Sequence, residues 1–338
     1  MLLNVENLSL SLKKDGSYLK ILDDVSFQVE KGETLGIVGE SGCGKSMTAL
    51  SIMRLLPDKA KLEGKVNLEK KEITALSKKQ LEKIRGNQIS MIFQDPLTSL
   101  NPLHSVGKQI GEALYLHTEL SKIERKQRVV HLLKEVGLPR ADEIVNEYPH
   151  QLSGGMRQRV MIAIAMACNP RLLICDEPTT ALDVTVQAQI LDLMNKLKQM
   201  NDMGIIMITH DLGVVAEVCD RVIVMYAGKV VEQGMAEELF ANPKHPYTIG
   251  LMQSIPKLGE RKNQLGSIPG TVPSPKNMPL GCRFADRCNK AMDICRGKQP
   301  STVEVGPNHT AACWLYEEKG VGRYDASRGE RSEATFHH

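Results

Sequence analysis

Residues 39–46 read Gly-Glu-Ser-Gly-Cys-Gly-Lys-Ser, a G-x-x-x-x-G-K-S run. An apolar stretch, Glu33–Val38, precedes it, and residues 44–56 after it carry apolar positions at helical spacing up to Pro57. Strand, glycine-rich loop and helix in that order constrain this chain more than any other feature, because the chemistry of the loop requires that context. Glycines let successive backbone N–H groups turn inward without a Cβ clash. Those donors and the positive end of the helix suit phosphate oxygens. In such a loop Lys45 reaches the outer phosphates and Ser46 offers a hydroxyl to Mg²⁺. Gly39, Ser41, Gly42, Cys43, Gly44 and Met47 complete the phosphate-binding set, with Cys43 read as a small spacer.

A second strand candidate, Arg171–Cys175, runs into Asp176-Glu177-Pro178. Asp176 stands at its carboxyl end, where open α/β sheets bind ligands. It is placed to hold Mg²⁺, and Glu177 to orient an attacking water or take its proton. Further strands are expected at Ile89–Phe93, Gly204–Ile208 and Arg221–Met225, with helices over 184–200 and 211–218. Strands alternating with helices predict a parallel sheet. Residues 1–38 read as strands, and 97–168 as a mainly helical subdomain. Pro and Gly crowd 241–280, which suggests an extended linker. The polar stretch after about 318 reads as a disordered tail.

At 338 residues, one large domain with a smaller appendage is the natural expectation. Lys plus Arg is 43 against 40 Asp plus Glu, a balance of +3 that argues against a polybasic nucleic-acid binder. No run approaches ~18 uninterrupted apolar residues, so no membrane span is expected. The N-terminus alternates like a strand and makes a poor signal peptide, which leaves a cytosolic location as the default. Aromatics are 4%, so the core should be aliphatic, with the 16 Met residues filling gaps.

Leu152-Ser153-Gly154-Gly155-Met156-Arg157-Gln158-Arg159 resembles the signature of ATP-binding-cassette ATPases, and it precedes Asp176 as in that family. Gln94 resembles the family's Q-loop glutamine, Ala181-Leu182-Asp183 its D-loop and His210 its switch histidine. The resemblance covers residues 1 to about 240. It implies an α/β cassette: a parallel-sheet nucleotide core, an antiparallel β part and an inserted helical subdomain at 97–168. It also implies catalysis by Glu177, His210 and Gln94, with Mg²⁺ held by Ser46, Gln94 and Asp176. Ser153, Gly154, Gly155 and Gln158 would serve the ATP of a facing subunit, so hydrolysis would need a dimer. Tyr18 occupies the interval in which the family stacks adenine on an aromatic ring.

Two stretches narrow the resemblance. Ile92–Pro102 and Asn242–Thr248 look like segments of dipeptide/oligopeptide importer ATPases. That implies a second, non-identical ATPase as partner, with a homodimer as the form open to the isolated chain. It also implies two membrane permeases and an extracellular peptide-binding protein, with the chain peripheral on the cytoplasmic face. Importers of nickel or other small solutes share these features. A cassette of another class, such as one in iron–sulphur assembly, would not need His245-Pro246-Tyr247.

Cys282, Cys288, Cys295 and Cys313 lie within 32 residues, separated by 5, 6 and 17 others. Clustered thiols in a reducing compartment suggest a metal or cluster site. Zinc usually shows a C-x₂₋₄-C knuckle, which is absent here. The wider spacing favours a four-iron, four-sulphur (4Fe-4S) cluster, with zinc as the alternative. The resemblance points the same way. The expected organisation is a cassette over 1–240, a Cys-cluster extension over 241–318 and a tail over 319–338. Because the extension is appended after the complete motif set, replacing any of its clustered cysteines is expected to leave ATP affinity untouched.

Overall fold

The computed structural model describes residues 1–180, 182–254 and 268–317, and the short strands Tyr324–Asp325 and Glu330–Arg331. The rest of the expected tail, Ala181 and residues 255–267 lie outside the described residues.

Two sheets organise the cassette. A four-stranded antiparallel sheet runs in the order Ser17–Val29, Leu3–Lys14, Lys61–Leu68, Lys71–Glu72. The second sheet has eight strands. From one edge its order is Thr302–Gly306, His309–Ala312, Lys229–Met235, Arg221–Tyr226, Thr34–Val38, Gly204–Ile208, Leu172–Asp176, Ile89–Ile92. The last five are parallel to one another and the first three pair antiparallel. Thr34–Val38, Leu172–Asp176 and Gly204–Ile208 are buried along their whole length. Continuous apolar runs such as LGIV and LLIC form strands of this kind, because both faces of the sheet are covered.

The helical subdomain comprises Val106–His117, Lys122–Glu135, Ala141–Ile144 and Gly154–Met166. Ile110, Leu114, Val129, Leu132, Leu133 and Val160 share one aliphatic core there. Lys122–Glu135 starts at a reciprocal cap. Ser121 N–H donates to Glu124 Oε2 at 2.7 Å, and Glu124 N–H to Ser121 Oγ at 3.3 Å.

The chain beyond residue 241 departs from the extended linker that composition suggests. Pro246–Gln253 is helical, because Pro246 stands in the first turn, where its missing N–H costs nothing. Burial pushes the His245 imidazole down to about 4, with Glu232 opposing, and its Nδ1 accepts from Tyr247 N–H at 3.1 Å. Further on, Thr302–Gly306 and His309–Ala312 extend the main sheet through the pairs Glu232–Ala311 and Gln233–Thr310. Glu232, 1% exposed, ties this edge together. Its carboxylate accepts from Lys244 N–H at 2.6 Å and His245 N–H at 2.8 Å, and it meets His309 Nε2 at 2.8 Å. A buried carboxylate is tolerable only when its oxygens are satisfied in this way.

Candidate active site

Four neighbouring parallel strands end on one edge of the eight-stranded sheet. After Val38 comes the glycine-rich loop, after Ile208 comes His210, after Asp176 comes Glu177, and after Ile92 comes Gln94. Strand order therefore gathers side chains that are more than a hundred residues apart in the chain, at the carboxyl ends where such sheets bind ligands.

The loop has the conformation its glycines allow. Gly39, Gly42 and Gly44 have φ of 150°, 77° and 108°. A Cβ on Gly39 would lie 2.3 Å from Met225 O, and one on Gly44 2.8 Å from Leu22 Cδ2. Cys43 is buried beneath the loop, consistent with a packing role. Lys45–Ile52 is the helix that follows, and its first-turn N–H groups have no intrahelical acceptors. Lys45 Nζ donates to Gly39 O at 2.7 Å and Glu40 O at 3.2 Å, and the residue is 6% exposed. Ser46 Oγ donates to Asp176 Oδ1 at 3.0 Å.

The two consecutive carboxylates differ in environment. Burial raises the Asp176 carboxyl above the ordinary range, with Ser46 opposing and Glu177 adding. Burial also acts to raise Glu177, but hydrogen bonds from His210 and Thr180, with the charges of His210 and Lys45, prevail and lower it. Gln94 Nε2 donates to Glu177 Oε2 at 2.8 Å and Thr180 Oγ1 to the same oxygen at 3.0 Å, while His210 Nδ1 lies 3.2 Å from Oε1. Glu177 itself sits at φ 50°, an unusual conformation for a residue with a side chain. Gln94, Glu177 and His210 are thus brought together. Thr180 was missed at the sequence level, because a threonine in Pro-Thr-Thr carries no signal beyond its three-residue distance from Glu177.

Ser153 caps Gly154–Met166 by accepting from Met156 N–H at 3.4 Å. The start of this helix packs on the D-loop region: a Cβ on Gly154 would lie 3.9 Å from Leu182 Cδ2, and one on Gly155 3.0 Å from Val186 Cγ1. Asp183 caps the helix Val184–Asn201 by accepting from Val186 N–H at 3.0 Å. Gln158 does not share the exposure of Ser153 and Gly154. It is 2% exposed, and its Nε2 has no hydrogen-bond partner among the described residues. Its burial within the helical core is what removes it from a facing surface. Tyr18 is exposed at 43%, with Lys61 Nζ 4.0 Å from its ring centroid.

The four C-terminal thiols act on one another. Burial pushes Cys313 up to about 12, and Cys282, Cys288 and Cys295 each add to the rise. Lys290 N–H donates to Cys288 Sγ at 3.4 Å and Met292 N–H to Cys295 Sγ at 3.5 Å. Among the described residues, no three His, Cys, Asp or Glu side chains stand close enough to hold a single metal ion. The neighbouring Phe284 does not lie in a separate unit. It packs edge-on to Tyr226 and beside Tyr247, at centroid distances of 5.2 and 5.3 Å.

A glycine loop that presents a buried lysine and helix N–H groups, beside paired carboxylates at the carboxyl edge of a parallel sheet, defines a nucleotide-hydrolysing cassette. Residues 22–180 match the ABC transporter family, and 231–295 the C-terminal region of oligopeptide/dipeptide transporters. The chain is 53% identical over 322 residues to the oligopeptide transport ATP-binding protein AppD of Bacillus subtilis, covering 95% of this chain and 98% of AppD. It is 49% identical to the dipeptide transport ATP-binding protein DppD of the same organism, over 94% of this chain and 95% of DppD. The solved dimer of the cassette MJ0796, in a post-hydrolysis state bound to ADP and Pi, superposes with a TM-score of 0.63. It is 31% identical and covers 70% of this chain and 99% of MJ0796. The chain belongs to the ABC transporter ATPases, in the group of ATP-binding proteins with the oligopeptide/dipeptide C-terminal region. Among the described residues, no helix is long and apolar enough to cross a membrane.

Proposed function

We propose that this chain hydrolyses ATP to drive peptide import, acting at the cytoplasmic face of a membrane. The convergence of Gln94, Thr180 and His210 on Glu177, beside Lys45, carries the hydrolytic reading. The names of AppD and DppD support the peptide. In this reading Lys45 holds the outer phosphates, Glu177 orients the attacking water and takes its proton, and His210 steadies the γ-phosphate. Tyr18 stacks on the adenine. Ser46 and Asp176, with Gln94, would hold Mg²⁺. The fit is chemical: a hydroxyl and a carboxylate oxygen 3.0 Å apart, on a carboxylate whose bare charge burial disfavours, suit a small hard cation. When bound, that ion offsets the charge of the phosphates.

Ser153, Gly154 and Gly155 would serve the ATP of a facing ATPase, and two permeases and an external peptide-binding protein would complete the machine. The test is hydrolysis by the chain co-expressed with peptide permeases, stimulated by peptide-loaded binding protein. Stimulation by nickel or another small solute instead of peptide would overturn the substrate. Ser153→Arg places a long cation on the exposed turn that opens the signature helix. It should leave ATP binding by the purified chain unchanged and lower the rate of the assembled transporter by about 100-fold, the scale of losing a positioned transition-state contact. Full hydrolysis by a monomeric chain would contradict the shared site.

Cys282, Cys288, Cys295 and Cys313 would hold a 4Fe-4S cluster. Four cysteines within 32 residues and N–H donors to two of the sulfurs support it, since such donors favour the thiolate form. Protein purified without oxygen should be brown and carry about four irons per chain. Cys282→Ser should remove the iron and Cys168→Ser should not. One zinc and no iron would overturn the cluster.

A further inference from the structure

Glu40, the second residue of the glycine-rich loop, is held at three points. Its N–H donates to Tyr247 Oη at 2.8 Å, and its carbonyl accepts from Lys45 Nζ at 3.2 Å. Its carboxylate takes a two-pronged contact from Arg287, with Nη1 to Oε2 at 2.5 Å and Nη2 to Oε1 at 2.9 Å. Tyr247 and Arg287 both lie beyond the cassette, and Arg287 directly precedes Cys288. The extension is therefore in direct contact with the nucleotide loop: a charged group of the Cys-bearing segment touches it.

The Arg287 guanidinium is fixed independently of Glu40. Its Nε donates to Pro269 O at 2.8 Å, Nη2 to Ile268 O at 3.2 Å and Nη1 to Tyr226 Oη at 3.3 Å. It lies 5.7 Å from the Tyr226 ring centroid and 6.0 Å from that of Phe284. Its side chain is 6% exposed and that of Glu40 is 30%. Exposed ion pairs contribute little, but a shielded fork-to-carboxylate pair on a pre-positioned arginine is of a different kind.

Unpaired, the Glu40 carboxylate would add negative charge beside a loop built to receive phosphates. We propose that Arg287 is a positioning residue for ATP binding: it neutralises the Glu40 carboxylate beside the phosphate loop, so the Cys-bearing segment sets nucleotide affinity. This rests on the loop being the ATP site.

The test is calorimetric titration of the full-length chain with Mg²⁺-ATP. Arg287→Ala should weaken binding by about tenfold, a coupling ordinary for charged groups in contact. Glu40→Gln alone should stay within about twofold of the unmodified chain, and adding it to Arg287→Ala should restore affinity. That rescue separates charge compensation from lost packing, which Glu40→Gln cannot repair. If Arg287→Ala fails to fold, Arg287→Lys replaces it, with a loss of a few-fold that Glu40→Gln again repairs. Unchanged affinity in Arg287→Ala, or a loss that Glu40→Gln leaves in place, would overturn the proposal. Lys45→Ala is the control. Normal binding in that variant would overturn the nucleotide site itself, whereas loss of binding there with normal binding in Arg287→Ala would sink only the clamp.

Discussion

Glu177→Gln leaves ATP binding intact and slows hydrolysis by about two to four orders of magnitude, the range general-base assistance supplies. The amide keeps the shape of the carboxyl and can still accept from Gln94 or Thr180, which lie 2.8 and 3.0 Å from Oε2. It loses the negative charge and the proton-accepting oxygen that hydrogen bonds from His210 and Thr180 and nearby positive charge keep ionised in the native carboxylate. Binding depends on the loop, which Glu177 does not touch through any of these bonds. Steady-state hydrolysis by the assembled transporter, alongside ATP titration of the purified chain, separates the two effects. A turnover number near normal would remove Glu177 from the reaction.

Lys45→Ala acts at the other step. The ammonium is 6% exposed and bridges Gly39 O and Glu40 O, so it sits at the turn from which the phosphate-binding N–H groups radiate. Breaking a buried charge contact costs about 3–5 kcal/mol, which at tenfold per 1.4 kcal/mol is about two to four orders of magnitude in affinity. The substitution also leaves two loop carbonyls without their donor, so the loop loses shape as well as charge. The same titration reads the effect directly. Affinity within a few-fold of the unmodified chain would refute the loop's role. Together the variants divide the site: one binds and does not turn over, the other does not bind.

The phosphate loop was legible in the sequence because its requirements are local. Three glycines at positive φ, one lysine and the Ser46 hydroxyl fall within eight residues, between a strand and a helix. Asp176 and Glu177 were legible because they end an apolar run. Gln94 and His210 became readable only through resemblance to a family, since a glutamine after one strand and a histidine after another have no local distinction. Their meeting at Glu177 follows from strand order, which places Ile89–Ile92, Leu172–Asp176 and Gly204–Ile208 side by side.

The C-terminal region was the least legible. Its prolines suggested a linker, yet Pro246 opens a helix whose Tyr247 is fully buried against Tyr226. Its cysteines stood out by number, whereas Arg287 looked like any other charged surface residue. Nothing within a few residues of Arg287 tells of Glu40, 247 positions earlier. The phosphate-binding loop, the strand-borne carboxylates and the helical character of the subdomain are local properties, because backbone sterics and short-range periodicity act between near neighbours. Strand adjacency, the side chains around Glu177 and the reach of the Cys-bearing segment to the phosphate loop are properties of the folded chain. Those depend on pairing and charge contacts between residues far apart in the chain, and such contacts form only once the whole core has packed.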